Sequence, residues 1–143
     1  MRCALAQAES AGQEGEVPIG AVVVSSEDVI LAQAGNSPVS ANDPTGHAEI
    51  LALRAAAHAI GNYRLSDADI YVTLEPCPMC AGAIVHSRIR RLIFGARDLR
   101  FGGVRSKFRI ADSDLLNHQV EVVEGVLASD CVSILRRFFT DRR

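Results

Sequence analysis

The stretch TLEPCPMC, residues 73–80, decides the fold of this chain. It continues the apolar run at 70–74, which is typical of a buried strand, and leads into the small-residue segment 80–87, which is typical of a helix. Two prolines in it fit a helix entrance, where a missing N–H costs nothing. Because Cys77 and Cys80 are three residues apart, they can reach the same side of that helix. The sequence therefore predicts a strand that delivers two thiols to a helix N-terminus.

A second motif, TGHAE at residues 45–49, lies upstream. His47 and Glu49 would point to nearly opposite sides of a regular helix, so they converge only on a target beyond its N-terminal end. We expect this helix to run from His47 to about Ile60, where Gly-Asn at 61–62 ends it. Two helix N-termini then meet, and their free N–H groups and dipoles favour thiolate over thiol.

His47, Cys77 and Cys80 form a three-ligand set for zinc. Structural zinc normally has four protein ligands, whereas catalytic zinc has three and keeps a water in the fourth position. We therefore expect one Zn²⁺ per chain, with Glu49 beside the open position to move the protons of a water that the metal acidifies. The other histidines and cysteines have no comparable spacing; they are Cys3, His58, His86, His118 and Cys131.

Simpler interpretations of the same residues stay open. Cys77 and Cys80 could belong to a closed structural zinc site or act as redox thiols, and His47 could be an ordinary core histidine. The His-Ala-Glu motif upstream and the proline before Cys77 favour the catalytic interpretation, because together with Cys77 and Cys80 they resemble the signature of zinc nucleobase deaminases.

The rest of the chain alternates strands and helices, which predicts an α/β fold with three layers, α/β/α, around a five-stranded mixed sheet. We expect a single domain over residues 1–143, with ligands bound outside the strand ends. The expected strands cover 19–24, 29–32, 70–74, 91–96 and 120–123, and the expected helices cover 2–11, 47–60, 80–87 and 130–142.

Composition agrees with one compact intracellular enzyme. The 143 residues are 48% hydrophobic, enough for a real core. With two of four cysteines assigned to metal, no disulfide framework remains, which suits a reducing cytosol. We find no signal peptide and no membrane-spanning stretch, and expect a soluble, cytoplasmic protein that does not bind membranes.

The net charge of −2 conceals two halves of opposite sign. Residues 1–87 carry three basic and ten acidic residues, whereas residues 88–143 carry twelve basic and seven acidic ones. Eleven of those twelve are arginine, whose planar group suits phosphate and stacks on bases. A solvated surface explains any one cluster, but several of them beside a zinc site favour a polyanionic substrate. The candidate contacts are Arg97, Asp98, Arg100, Arg105 and Lys107, with Phe101 and Phe108 as stacking groups.

These motifs resemble the zinc nucleobase deaminases and, within them, the bacterial tRNA adenosine deaminases. The resemblance runs nearly end to end; it includes EVPIGA (16–21), Asn36, DPTGHAE (43–49), NYRL (62–65), residues 71–87 and FGARD (94–98). It implies a cytidine-deaminase-like fold, a zinc-dependent homodimer and conversion of adenosine to inosine at the wobble position of a tRNA anticodon stem-loop. It also implies that Glu49 moves protons, that the Asn36 side chain contacts the purine, and that the Ala48 backbone N–H lies near the attacking oxygen.

The chain also departs from the family pattern. The first helix usually begins further upstream, so this N-terminus looks shortened. In the loop LRFGGVRS (99–106) the family tends to have Lys at 100, a small polar residue at 101 and Gly at 105. Two rival functions remain, a free-base deaminase acting on guanine or cytosine and a catalytically silent zinc or RNA-binding module. Glu75, just before the Pro-Cys turn, is expected to hydrogen-bond locally.

Overall fold

The computed structural model describes residues 1–142, so Arg143, one of the arginines of the basic half, lies outside it. Four helices and five strands alternate along the chain. They are α1 (Arg2–Gln13), β1 (Gly20–Ser25), β2 (Ile30–Gly35), α2 (Ala48–Ile60), β3 (Ala68–Leu74), α3 (Pro78–His86), β4 (Arg91–Ala96), β5 (Glu121–Glu124) and α4 (Ala128–Asp141).

The strands form one mixed sheet in the order β2-β1-β3-β4-β5. β1 runs antiparallel to both β2 and β3, whereas β3, β4 and β5 are parallel. Leu74 at the end of β3 lies beside Ala96 at the end of β4. The carboxyl ends of these two strands therefore deliver the Pro-Cys turn and the arginine-rich segment to the same edge of the sheet, where α/β proteins bind ligands.

Helices cover both faces of the sheet. α2 packs on β1 and β2 and contacts α3, whereas α1 packs on β1 and β2 and contacts α4. Gly20 permits a close approach of α1, since a Cβ there would collide with the carbonyl of Ala4. Apolar side chains fill the interior; the largest fully buried ones are Phe94, Leu65, Ile70, Ile84, Ile89 and Leu92. The predicted three-layer α/β/α fold with a five-stranded mixed sheet is confirmed.

Element boundaries differ from the predicted ones in places. α3 begins at Pro78 rather than at Cys80, because a proline at the first helical position leaves Cys77 as the N-cap. β2 extends to Gly35, where it still pairs with Gly20. Residues 97–120, between β4 and β5, contain neither helix nor strand. None of the helices in the described part of the chain is long and apolar enough to cross a membrane.

Candidate metal centre and active site

Two helix N-termini carry the predicted ligands. His47 is the N-cap of α2, and Cys77 is the N-cap of α3, with Cys80 in the first turn of that helix. The Nδ1 atom of His47 lies 3.7 Å from the Sγ atom of Cys77 and 3.5 Å from the Sγ atom of Cys80. All three ligand atoms lie within 4.8 Å of one another. The structure thus brings together the three residues that the spacing singled out.

The three atoms fit a tetrahedral zinc ion. Zinc-nitrogen and zinc-sulfur bonds of ordinary length place nitrogen and sulfur ligands about 3.6 Å apart at the tetrahedral angle, close to the separations observed. No fourth His, Cys, Asp or Glu within residues 1–142 joins the group. His58 and His86 are exposed, and His118 Nε2 hydrogen-bonds the carbonyl of Ile89. A set of one imidazole and two thiolates with no further protein ligand is typical of catalytic zinc.

The two thiols have different proton affinities. A hydrogen bond from the Cys80 thiol lowers the pKa of Cys77 to about 5, against the effect of burial, and the backbone N–H groups of Cys80 and Met79 also lower it. The same thiol-thiol bond, with burial, raises the pKa of Cys80. The Cys80 thiol and the backbone N–H groups at the start of α3 therefore favour the Cys77 thiolate, whereas the pKa of Cys80 lies above its ordinary value.

Glu49 lies in the first turn of α2, two residues after the His47 ligand, and is only 4% exposed. Burial raises the pKa of its carboxyl to about 7, while the nearby His47 and a hydrogen bond with Cys80 act in the opposite direction. A carboxyl group with such a pKa both accepts and donates protons near neutrality, which is what general acid-base catalysis requires.

Asn36 and Ala48 are directly connected. Asn36 follows β2 and is 6% exposed, and its Oδ1 atom accepts a hydrogen bond of 2.9 Å from the backbone N–H of Ala48. This bond fixes the side-chain amide and caps the first turn of α2. The Ala48 N–H thus has a partner within the protein, and the Asn36 NH₂ group is the donor left for a ligand.

The predicted RNA contacts fall into two groups. Arg97 pairs with Glu124 through two hydrogen bonds of 2.8 Å, and Arg105 pairs with Asp112 through two of 3.0 Å. Asp98 lies at a turn, where its Oδ1 atom accepts the backbone N–H groups of Arg100 and Phe101. By contrast, the exposed side chains of Arg100 and Lys107 form no ion pair within residues 1–142, and Phe101 and Phe108 are 66% and 57% exposed.

The expectation that Glu75 bonds locally is wrong. Its buried carboxylate accepts hydrogen bonds from donors at positions 98 to 106, at least 23 residues away in sequence. Burial opposes ionisation, yet these bonds, the Ser106 hydroxyl first among them, lower the pKa of the group. Sequence reasoning also missed Glu16, a buried carboxylate that accepts the N–H groups of Val39 and Ser40. In both cases the sequence did contain a signal for a buried carboxylate, namely an acidic residue next to an apolar segment.

Comparisons with known proteins agree with this site. The family model of MafB19-like deaminases matches residues 1–143. A tRNA-specific adenosine deaminase of Haemophilus influenzae is 50% identical over 143 residues, 100% of this chain and 83% of that protein. The chain belongs to the tRNA-specific adenosine deaminase family.

Solved structures of family members and relatives share the fold. One, from work on A-to-I editing by tRNA:A34 deaminases at the wobble position of transfer RNA, matches with a TM-score of 0.91 and 47% identity over 94% of this chain and 97% of that one. A guanine deaminase from Bacillus subtilis matches at a TM-score of 0.66 and 29% identity over 99% of this chain and 90% of that one. The tRNA deaminase is thus closer in both sequence and structure.

Proposed function

We propose that this protein is a zinc-dependent deaminase that converts adenosine to inosine at the wobble position of tRNA anticodons and releases ammonia. One observation carries the proposal. A three-ligand His-Cys-Cys cluster with tetrahedral spacing lies beside the carboxyl group of Glu49, whose pKa burial raises to about 7. Membership of the tRNA-specific adenosine deaminase family supports the choice of substrate.

His47 Nδ1, Cys77 Sγ and Cys80 Sγ would hold one zinc ion per chain. Bound there, zinc supplies a Lewis acid that makes water a nucleophile near neutral pH. Glu49 transfers the protons. Its carboxylate takes one proton from the attacking water and gives it to N1 of adenine, so that C6 becomes electrophilic as the oxygen adds to it. Glu49 then carries the second proton to the exocyclic amine, the C6–N6 bond breaks, and ammonia and inosine remain.

Asn36 orients the base in this scheme. Since its Oδ1 atom is held by the Ala48 N–H, its NH₂ group is free to donate to an acceptor on the purine. Ala48 acts on the substrate through Asn36 and through its place in the first turn of α2, whose N-terminus favours developing negative charge.

The exposed side chains of Arg100, Lys107 and Phe101 suit the RNA chain around the target base. Arginine and lysine suit its phosphates, and an aromatic ring suits an unstacked base. The resemblance to the family supports a single-domain homodimer that acts on the anticodon stem-loop in the cytoplasm.

A comparison of four substrates tests this proposal. Zinc-loaded protein is given an anticodon stem-loop RNA with adenosine at the wobble position, the same RNA with guanosine there, free guanine and free cytosine, and ammonia release is measured. We expect ammonia from the adenosine-containing RNA alone, with inosine in the product. Ammonia from guanine or cytosine instead would establish a free-base deaminase, and RNA binding with no ammonia from any substrate would establish a silent RNA-binding module.

A further inference from the structure

Five hydrogen bonds tie the Glu75 carboxylate to the loop of residues 98–106, called here the arginine loop. Four come from backbone N–H groups and the fifth from a hydroxyl. The Oε1 atom accepts from Val104 at 3.2 Å, Arg105 at 2.6 Å and Ser106 at 2.8 Å, and the Oε2 atom accepts from the N–H of Asp98 at 3.0 Å and the hydroxyl of Ser106.

The same loop presses against the turn that carries the metal ligands. The N–H of Gly103 donates to the carbonyl of Pro76 at 2.7 Å. A Cβ at Gly103 would come within 2.8 Å of the Cys77 carbonyl carbon, and one at Gly102 within 2.5 Å of the Glu75 carboxyl carbon. Two adjacent glycines therefore let the arginine loop lie directly on the Pro-Cys turn.

We propose that Glu75 is a positioning residue that holds the arginine loop at a fixed place over the metal-ligand turn and thereby sets affinity for the RNA substrate. This inference rests on the proposed function, because it assigns the loop to RNA. Arg100 and Phe101 are exposed, and they extend from the segment that the Glu75 carboxylate, together with the Gly103–Pro76 hydrogen bond, holds against the turn carrying Cys77.

A carboxylate suits this position for a simple reason. All five partners are donors, and an ionised carboxylate offers only acceptors. Glutamine has nearly the same shape, but its NH₂ group would face donors and leave buried N–H groups unpaired, a loss that costs more than the missing bond itself. Glu16 shows the same arrangement at the loop after Asn36, where its oxygens accept from Val39 and Ser40.

The test compares zinc-loaded Glu75→Gln with the parent and with Glu27→Gln, a control at an exposed turn residue. Bound zinc, hydrogen exchange of the backbone amides at 98–106, and kcat and KM on the anticodon stem-loop RNA are measured. For Glu75→Gln we expect unchanged zinc, loop amides that exchange at least about tenfold faster, a KM raised about tenfold or more, and a kcat within about threefold of the parent. The control should match the parent.

A loss of zinc in step with activity would overturn the proposal, since Glu75 would then support Cys77 rather than the loop. An unchanged KM despite faster amide exchange would overturn it as well, as would unchanged exchange. If Glu75→Gln does not fold, Ser106→Ala decides: it removes one of the five bonds, and we expect KM to rise about two- to fivefold, whereas an unchanged KM refutes the proposal.

Failure of the proposed function has a separate signature. A parent protein that releases no ammonia from the RNA refutes that function, while zinc content and amide exchange of the variants still decide whether Glu75 anchors the loop.

Discussion

The metal centre and the arginine loop lie next to each other but are built differently. The residues at the metal centre stand at the starts of two helices that contact each other, α2 and α3; they are His47, Glu49, Cys77 and Cys80. The arginine loop has no regular structure, and its shape depends on contacts with Glu75. The centre is thus held by the ends of two helices, whereas the loop is held by five hydrogen bonds to one buried side chain, Glu75, and by a backbone bond from Gly103 to Pro76.

This difference predicts that substitutions in the two regions change different kinetic parameters. In the proposed mechanism, groups at the metal centre act on bonds that change during the reaction, so their loss should lower kcat. We propose that groups on the loop hold parts of the RNA that do not react, so their loss should raise KM with little effect on kcat. The variants below, taken from the largest expected effect to the smallest, test this separation.

Cys80→Ala should abolish activity. Removing one of three ligands leaves too few donors for tight metal binding, so bound zinc should fall from about one per chain to near zero together with inosine formation. Metal analysis of the purified variant measures the first, and nucleoside analysis the second. Cys3→Ala, at an exposed cysteine outside the cluster, is the control and should keep both. Full zinc retention by Cys80→Ala would point to a different ligand set.

Glu49→Gln should keep the zinc and the fold but lower kcat by about 10²- to 10⁴-fold, because glutamine cannot carry protons. Single-turnover inosine formation, with bound zinc measured on the same sample, checks this. Glu27→Gln serves as the matched control at an exposed turn. Activity within tenfold of the parent would remove Glu49 from the mechanism and erase the contrast with the loop.

Asn36→Ala and Asn36→Asp together separate two contributions of one side chain. Alanine removes both the acceptor for the Ala48 N–H and the free NH₂ group, whereas aspartate keeps the acceptor. If the amide donates to the base, both variants should lose about tenfold or more in kcat/KM with zinc retained. Recovery of activity in Asn36→Asp would instead show that only the cap on α2 matters.

Replacing Arg100 and Lys107 with alanine should give the smallest effect, a KM raised several-fold with kcat unchanged. The slope of log affinity against log salt should fall by about one for each phosphate that the variant no longer neutralises. Arg2→Ala with Arg136→Ala, at exposed positions on α1 and α4, removes equal charge and is the control. An unchanged salt slope relative to that control would mark the loop as an ordinary solvated surface.

Arg105→Ala should behave differently from the Arg100 and Lys107 pair. The sequence grouped these residues as equivalent cations, but the Arg105 guanidinium is engaged with Asp112, whereas Arg100 and Lys107 are exposed and form no ion pair within residues 1–142. Removing Arg105 therefore removes the contact between the loop and Asp112 before it removes any contact with RNA, so Arg100 and Lys107 are the cleaner probe.

The sequence by itself predicted the layered fold, and it singled out His47, Cys77 and Cys80, whose ligand atoms the structure brings within 4.8 Å of one another. His47, Glu49, Cys77 and Cys80 were identifiable because their spacing in the chain, together with helix N-termini, fixes where their side chains converge. The strands were recognisable from apolar runs. Helix boundaries were less accurate, since α3 begins two residues before the predicted start because Pro78 occupies its first position.

Only the tertiary structure decided which charged groups are free and which are used internally. Glu75 meets donors 23 to 31 residues away, and Arg97 meets Glu124 across 27 residues. Local spacing carries no information about such pairs, since they depend on how parallel strands bring their carboxyl ends to one edge of the sheet. The spacing of residues in the sequence predicts short-range geometry, whereas ion pairs and hydrogen bonds between distant residues form only once the chain has folded.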